Sequence, residues 1–173
     1  MLDFTHQETI HAPPEAVFDL MADLQNYNEW NPFVTVESGT ARMGEVVTGK
    51  ARLRGREVPY RHKIYEFIPG KRLSWKDFGL LAWLVCGNRS RSVESVGGAT
   101  LFTCHLVVTG PLSLVVKMLF GKSLCDGVVA EAKALKEMAF FPQRVKIIGS
   151  TSTSRRFSSN CNSNATAASD SSS

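Results

Sequence analysis

The clearest pattern in the chain is a strict two-residue alternation. Phe102, Cys104, Leu106 and Val108 interleave with Thr103, His105, Val107 and Thr109, so the first set faces a core and His105 faces away. Gly49, Ala51 and Leu53 alternate in the same way with Lys50, Arg52 and Arg54, as in a strand with one dry and one wet face. Segments of this kind predict strands over 3–11, 34–38, 46–53, 58–68, 72–78, 84–94 and 100–109. Turn residues separate most of them: Gly39 and Gly44, Arg54-Gly55-Arg56, Pro69-Gly70 and Gly97-Gly98. After the first strand, Pro13 and Pro14 stop the extended run and preset a helical turn, and Val17, Phe18, Leu20 and Met21 follow at helical spacing. A second short helix closes at Trp30-Asn31-Pro32. Seven strands without long helices between them predict an antiparallel meander.

The period changes to that of a helix after Gly110-Pro111 and holds to about Ala139. Up to Phe120 this helix is apolar nearly all round. Beyond Gly121 a stripe of Leu124, Val128, Ala132, Leu135 and Met138 opposes Lys122, Asp126, Lys133, Lys136 and Glu137. Gly121 and Gly127 predict a kink or break between the halves, since each costs about 1 kcal/mol against alanine in a helix. Past Phe141-Pro142 the pattern fades into Ser, Thr, Asn and Ala, which cannot offset their ordering entropy. The expected organisation is one domain over 1–141 and a disordered Ser-rich tail over 142–173.

Five stretches together resemble the SRPBCC superfamily: the Ala-Pro-Pro-Glu-Ala-Val-Phe-Asp start at Ala12, Asn28-Glu29-Trp30-Asn31-Pro32, the run from Glu66 through Pro69-Gly70 to Trp75, Gly97-Gly98-Ala99-Thr100, and Ala134-Leu135-Lys136. This is the group of START-like and birch pollen allergen-like proteins, and the likeness is to its polyketide cyclase/dehydrase and lipid-transport-like branch. The resemblance implies an α+β helix-grip fold, in which a curved antiparallel sheet of about seven strands wraps a long C-terminal helix, with two short helices after the first strand. It also implies a ligand cavity between sheet and helix, and no single activity. Physical chemistry adds a constraint. A dry void of roughly 300 Å³ would cost on the order of 7 kcal/mol, as much as a domain's net stability, so the interior is either filled by side chains or holds water and ligand.

Composition is that of an ordinary globular chain, 43% hydrophobic and 21% charged over 173 residues. The start, Met1-Leu2-Asp3-Phe4-Thr5-His6, lacks the basic and apolar regions of a secretory signal, which places the expectation in the cytoplasm. Cys86, Cys104, Cys125 and Cys161 form no C-x-x-C pair and read as small core or surface residues. The net charge of +4 invites a nucleic-acid partner, but the alternation of the cations marks a solvated strand face, so none is expected; a transient membrane contact stays open, as does a membrane-touching first half of the last helix. His6, His11, His62 and His105 lack metal-ligand spacing, and no phosphate loop, dinucleotide fingerprint or Gly-x-Ser-x-Gly occurs, so neither metal nor cofactor is expected.

Candidate chemistry therefore rests on inward-facing polar residues. The phase of the 58–68 strand is ambiguous; placing Tyr60, His62, Ile64, Glu66 and Ile68 inward keeps Arg61 and Lys63 in water. Arg89 and Arg91 share a face with Val85 and Val93, and a buried guanidinium demands a partner, with Glu66 or Glu94 as candidates or the head of an amphipathic ligand. The expected function is binding of a small hydrophobic or amphipathic ligand, of lipid, polyketide or aromatic type. Trp75, Phe102, Leu106, Leu124 and Val128 would shape the pocket, and Tyr60, His62 and Arg89 would give it polarity. The alternatives are a polyketide-cyclase/dehydratase-like enzyme using His62, Tyr60 and Glu66, and a regulatory protein-interaction module; the balance leans away from catalysis.

Overall fold

A computed structural model describes residues 1–140; the expected Ser-rich tail lies outside the described residues. Strand β1 (Leu2–Ile10) is followed by helix α1 (Pro14–Ala22) and a single 3-10 turn at Tyr27–Glu29. Strands β2 (Val34–Ser38), β3 (Val46–Leu53), β4 (Arg56–Ile68), β5 (Arg72–Asp77), β6 (Cys86–Val96) and β7 (Ala99–Thr109) then run as a meander, and helix α2 (Ser113–Phe140) completes the fold. The sheet order is β1-β7-β6-β5-β4-β3-β2, with every neighbouring pair antiparallel. This is the helix-grip arrangement of a seven-stranded antiparallel sheet and a long C-terminal helix.

Two turns show how directly the local sequence sets this topology. Arg54 and Gly55 both take positive φ between paired Leu53 and Arg56, as do Gly97 and Gly98 between Val96 and Ala99. Two consecutive left-handed residues match the twist of a two-residue hairpin. The alternation on β7 holds along its length: Phe102, Cys104, Leu106 and Val108 are buried and face β6 partners Val93, Arg91, Arg89 and Gly87.

Three expectations are corrected. The 58–68 strand does not keep one phase, because its pairing with β5 shifts between Ile64 and Glu66. Ile64 sits opposite Trp75 on the core side, whereas Glu66 sits opposite Ser74, accepts a hydrogen bond from the Ser74 hydroxyl at 2.7 Å and lies 3.7 Å from Arg72. Glu66 and Ile68 therefore turn to the outer face, and Phe67 takes the inner one, packing its ring against Phe18. Second, α2 runs without a break from Ser113 to Phe140. Gly127 instead makes room for the Phe33 ring, which a Cβ at that position would strike. Third, β6 begins at Cys86, two residues later than predicted, because the Leu84 carbonyl accepts a hydrogen bond from Leu112 N–H at 3.1 Å and so ties the loop to the start of α2.

Candidate functional site

A cavity of about 730 Å³ lies between the concave face of the sheet and the first half of α2. Its lining is mostly apolar, with Phe33, Ala51, Leu53, Trp75, Leu106 and Leu124 among the walls, and it reaches solvent at the loop joining β5 to β6. A dry void of this size would cost on the order of 17 kcal/mol, more than most domains have in net stability, so the space suits water or a bound molecule.

The sequence-predicted residues divide. Tyr60, His62, Trp75, Arg89, Leu106 and Leu124 line the cavity. Phe102 and Val128 do not; both are fully buried in the packed core, further along β7 and α2. Glu66 is excluded by the strand irregularity that turns it outward.

Arg89 and Arg91 point inward as the alternation required, but their partner is neither Glu66 nor Glu94. It is Glu131 on α2, whose carboxylate lies 2.7 Å from Arg89 and 2.9 Å from Arg91 and accepts a hydrogen bond from the Tyr27 hydroxyl at 3.0 Å. Arg91 also donates to the Tyr27 hydroxyl, and its guanidinium stacks 3.9 Å from the centre of the Trp75 ring. Burial pushes the Glu131 carboxyl up, yet the two guanidiniums outweigh it and hold the acid below the usual carboxylate range. Two cations thus share one anion, leaving one uncompensated positive charge. Nε and Nη2 of Arg91 are buried without a partner, whereas Arg89 lies on the cavity wall. Sequence reading missed Glu131 although a signal existed: it lies three residues after Val128 and four before Leu135, on the apolar stripe itself.

Beside the arginines, on the neighbouring strands β5 and β4, a column of flat groups forms. The Tyr60 ring stacks on His62 at 4.3 Å, and His62 stacks on Trp75 at 5.7 Å. Tyr60 donates its hydroxyl to the Thr35 carbonyl at 3.0 Å, a reach that depends on Gly49, where a Cβ would collide with both. Burial pushes the Tyr60 phenol up to about 12, so it stays protonated. His62 Nε2 lies 2.9 Å from Asp77 Oδ1, and the other oxygen of Asp77 accepts Gly87 N–H at 2.7 Å. Asp77, also on the cavity wall, is the acid that sequence reading assigned to Glu66; it pairs with His62 directly across β4 and β5. Because a carboxylate only accepts, Nε2 carries the proton and Nδ1, buried without a partner, keeps a free lone pair. Burial pushes the imidazole below its ordinary value of 6.5 despite the Asp77 charge, so the ring is neutral near pH 7.

Among the described residues no cluster of His, Cys, Asp or Glu has the makings of a metal site, and no helix is long and apolar enough to cross a membrane. Cys86, Cys104 and Cys125 are free thiols, and burial pushes Cys104 up to about 11.

A family model described as polyketide cyclase / dehydrase and lipid transport matches residues 1–137. Among solved structures, the chain is similar to Ara h 8.0201 (15% identity, 80% of this chain and 97% of the other, TM-score 0.62). It is likewise similar to TTHA0849 from Thermus thermophilus (21% identity, 80% and 97%, TM-score 0.64) and to the ZhuI aromatase/cyclase from Streptomyces sp. R1128 (16% identity, 83% and 96%, TM-score 0.64). At these identities the likeness concerns the fold. No curated protein matches the sequence.

Proposed function

The chain belongs to the polyketide cyclase/dehydrase and lipid transport family, and from that premise we propose that it binds a small amphipathic molecule with an acidic head. The apolar body lies against Trp75, Leu106 and Leu124, and the head meets Arg89. The cavity volume falls within the roughly 300–1,000 Å³ of small-molecule sites, and the lining is of the usual kind, apolar with few polar groups. One observation carries the acidic head: Arg89 lies on the cavity wall while sharing with Arg91 the one carboxylate that pairs with it among the described residues, Glu131. A carboxylate, sulfonate or phosphate head would supply the missing negative charge through charge-assisted hydrogen bonds.

Titration of the full chain with anilinonaphthalene sulfonate, an apolar aromatic anion, tests the reading. Arg89→Met leaves Glu131 paired with Arg91, so the buried charges then balance. Binding of the anion is expected to weaken by about tenfold or more, the worth of a hydrogen bond to a charged group, while a neutral dye such as Nile red keeps its affinity. Equal affinity of both proteins for the anion would remove the acidic head.

A second reading is favoured by a separate observation, the unpartnered Nδ1 of His62 on a ring whose Nε2 is held by Asp77. A neutral imidazole oriented by a carboxylate suits a proton-transfer step on a bound polyketide-like carbonyl compound. Turnover of such a compound that is lost in His62→Ala, with binding retained, would make the protein a cyclase or dehydratase; binding without turnover leaves it a carrier.

A further inference from the structure

We propose that the open end of the cavity docks shallowly on an anionic membrane surface, through an apolar rim framed by cations. The rim comes from two segments joined by the Leu112 to Leu84 hydrogen bond. In the loop between β5 and β6, Leu80 is 88% and Trp83 66% exposed, with Leu81 similar. On the first turns of α2, Met118 is 79% exposed, beside Leu114 and Leu119. Exposed apolar residues on a soluble chain are usually scattered singly, whereas a patch of this kind marks an interaction surface. Leu80 and Leu81 also line the cavity, so the rim is continuous with the cavity mouth.

Charge decides which occupant fits. Residues 78–85 and 110–124 contain no Asp or Glu. Lys117 and Lys122 lie on that stretch of α2, and Arg54 and Arg56 stand at the tip of the β3–β4 hairpin, all exposed. Arg54 holds this tip against α2 by donating to the Leu119 carbonyl at 3.3 Å and, through its backbone N–H, to Ser123 Oγ at 3.1 Å. The first acid beyond, Asp126, is occupied by Lys122 at 2.6 Å. Apolar tips among cations, with the flanking acids Asp77, Glu57 and Asp126 already held by His62, Lys50 and Lys122, match a bilayer interface, which offers an acyl region for leucine and methionine, a headgroup layer for tryptophan and a negative potential for lysine and arginine. A second copy of the chain fits poorly, because it would set the same cations against each other. The proposal does not depend on the acidic head assigned to the cavity ligand.

The full chain is mixed with vesicles of phosphatidylcholine alone and of phosphatidylcholine with an equal part of phosphatidylserine, then sedimented. Trp30 and Trp75 are buried, so a change in tryptophan emission reports Trp83. Binding to the anionic vesicles is expected, with a blue-shifted emission and a loss of affinity as salt rises. Leu81→Asp and Met118→Asp are each expected to weaken it by about tenfold or more, and Lys117→Glu by about fivefold, with unfolding midpoints unchanged because all three side chains are exposed. No association with the anionic vesicles overturns the proposal. So does association that the three substitutions leave intact, or a concentration-dependent dimer that Leu81→Asp dissolves without any vesicle binding. Arg89→Met separates the two readings: it tests the cavity ligand and leaves docking unchanged.

Discussion

The two halves of α2 invert the usual relation between hydrophobicity and burial. From Ser113 to Phe120 the helix is almost wholly apolar, yet Leu114, Val115, Met118 and Leu119 stand in solvent. From Gly127 onward it is rich in charge, yet Val128, Glu131, Ala132 and Leu135 are all but sealed. The difference lies in what each half meets. The second half is seated on the sheet and on α1, whose Val17 and Met21 join the same core. The first half lies over a concave surface that it does not fill, and the remaining space is the cavity. Apolar content along α2 therefore does not report burial; the surface each half meets does.

The largest test of this contrast is Glu131→Gln. It leaves Arg89 and Arg91 buried with no counter-charge in contact among the described residues, and removing one side of a buried ionic group typically costs about 3–5 kcal/mol. Urea unfolding should show that loss; a change below about 1 kcal/mol would mean that the two guanidiniums find water. Next comes the same substitution at two sites. Gly127→Ala drives a methyl into the Phe33 ring, and overpacking of about 1–3 kcal/mol outweighs the up to about 1 kcal/mol that alanine returns as helix propensity. Gly121→Ala meets only the Lys117 stem at 3.6 Å, an ordinary contact, so there the propensity gain of up to about 1 kcal/mol should remain as added stability. If both variants shifted the unfolding midpoint in the same direction, the two halves would not differ in packing.

The smallest effect is on pH. His62 has a folded pKa below 6.5, so the unfolded chain binds the extra proton first and stability falls as pH drops through 6.5 towards the folded value. Glu131 has a folded pKa below 4.5; its contribution is present above 4.5 and disappears as pH falls through the lower folded value. The cavity side thus begins to weaken at a higher pH than the packed side, from 6.5 against 4.5. Urea midpoints measured from pH 7 downward should start to fall below 6.5 and fall more steeply below 4.5, and His62→Gln should remove the decline between 6.5 and 4.5 while leaving the steeper one.

The strands, their turns and the inward row of β7 were legible from sequence because alternation and left-handed glycines act over two to four residues. Inward-facing Arg89 and Arg91 were legible for the same reason. Glu66 was misplaced because one irregularity in pairing reverses every side chain beyond it, and nothing within 58–68 announces the shift. Its replacement, Asp77, becomes visible only when β4 and β5 are laid side by side. Phe102 and Val128 carry the same pattern as Leu106 and Leu124, and only the position of the helix over the sheet separates core from cavity wall.

By itself the sequence determined the kind and order of the elements, the family and which rows of side chains turn inward, since these follow from local periodicity. The tertiary structure decided that Glu131 answers two arginines some forty residues away, that His62 meets Asp77 and not Glu66, and that the more apolar half of α2 is the exposed one. Each of these depends on which surfaces meet across the fold and how much space they leave, a property of the assembled sheet and helix that no single segment carries.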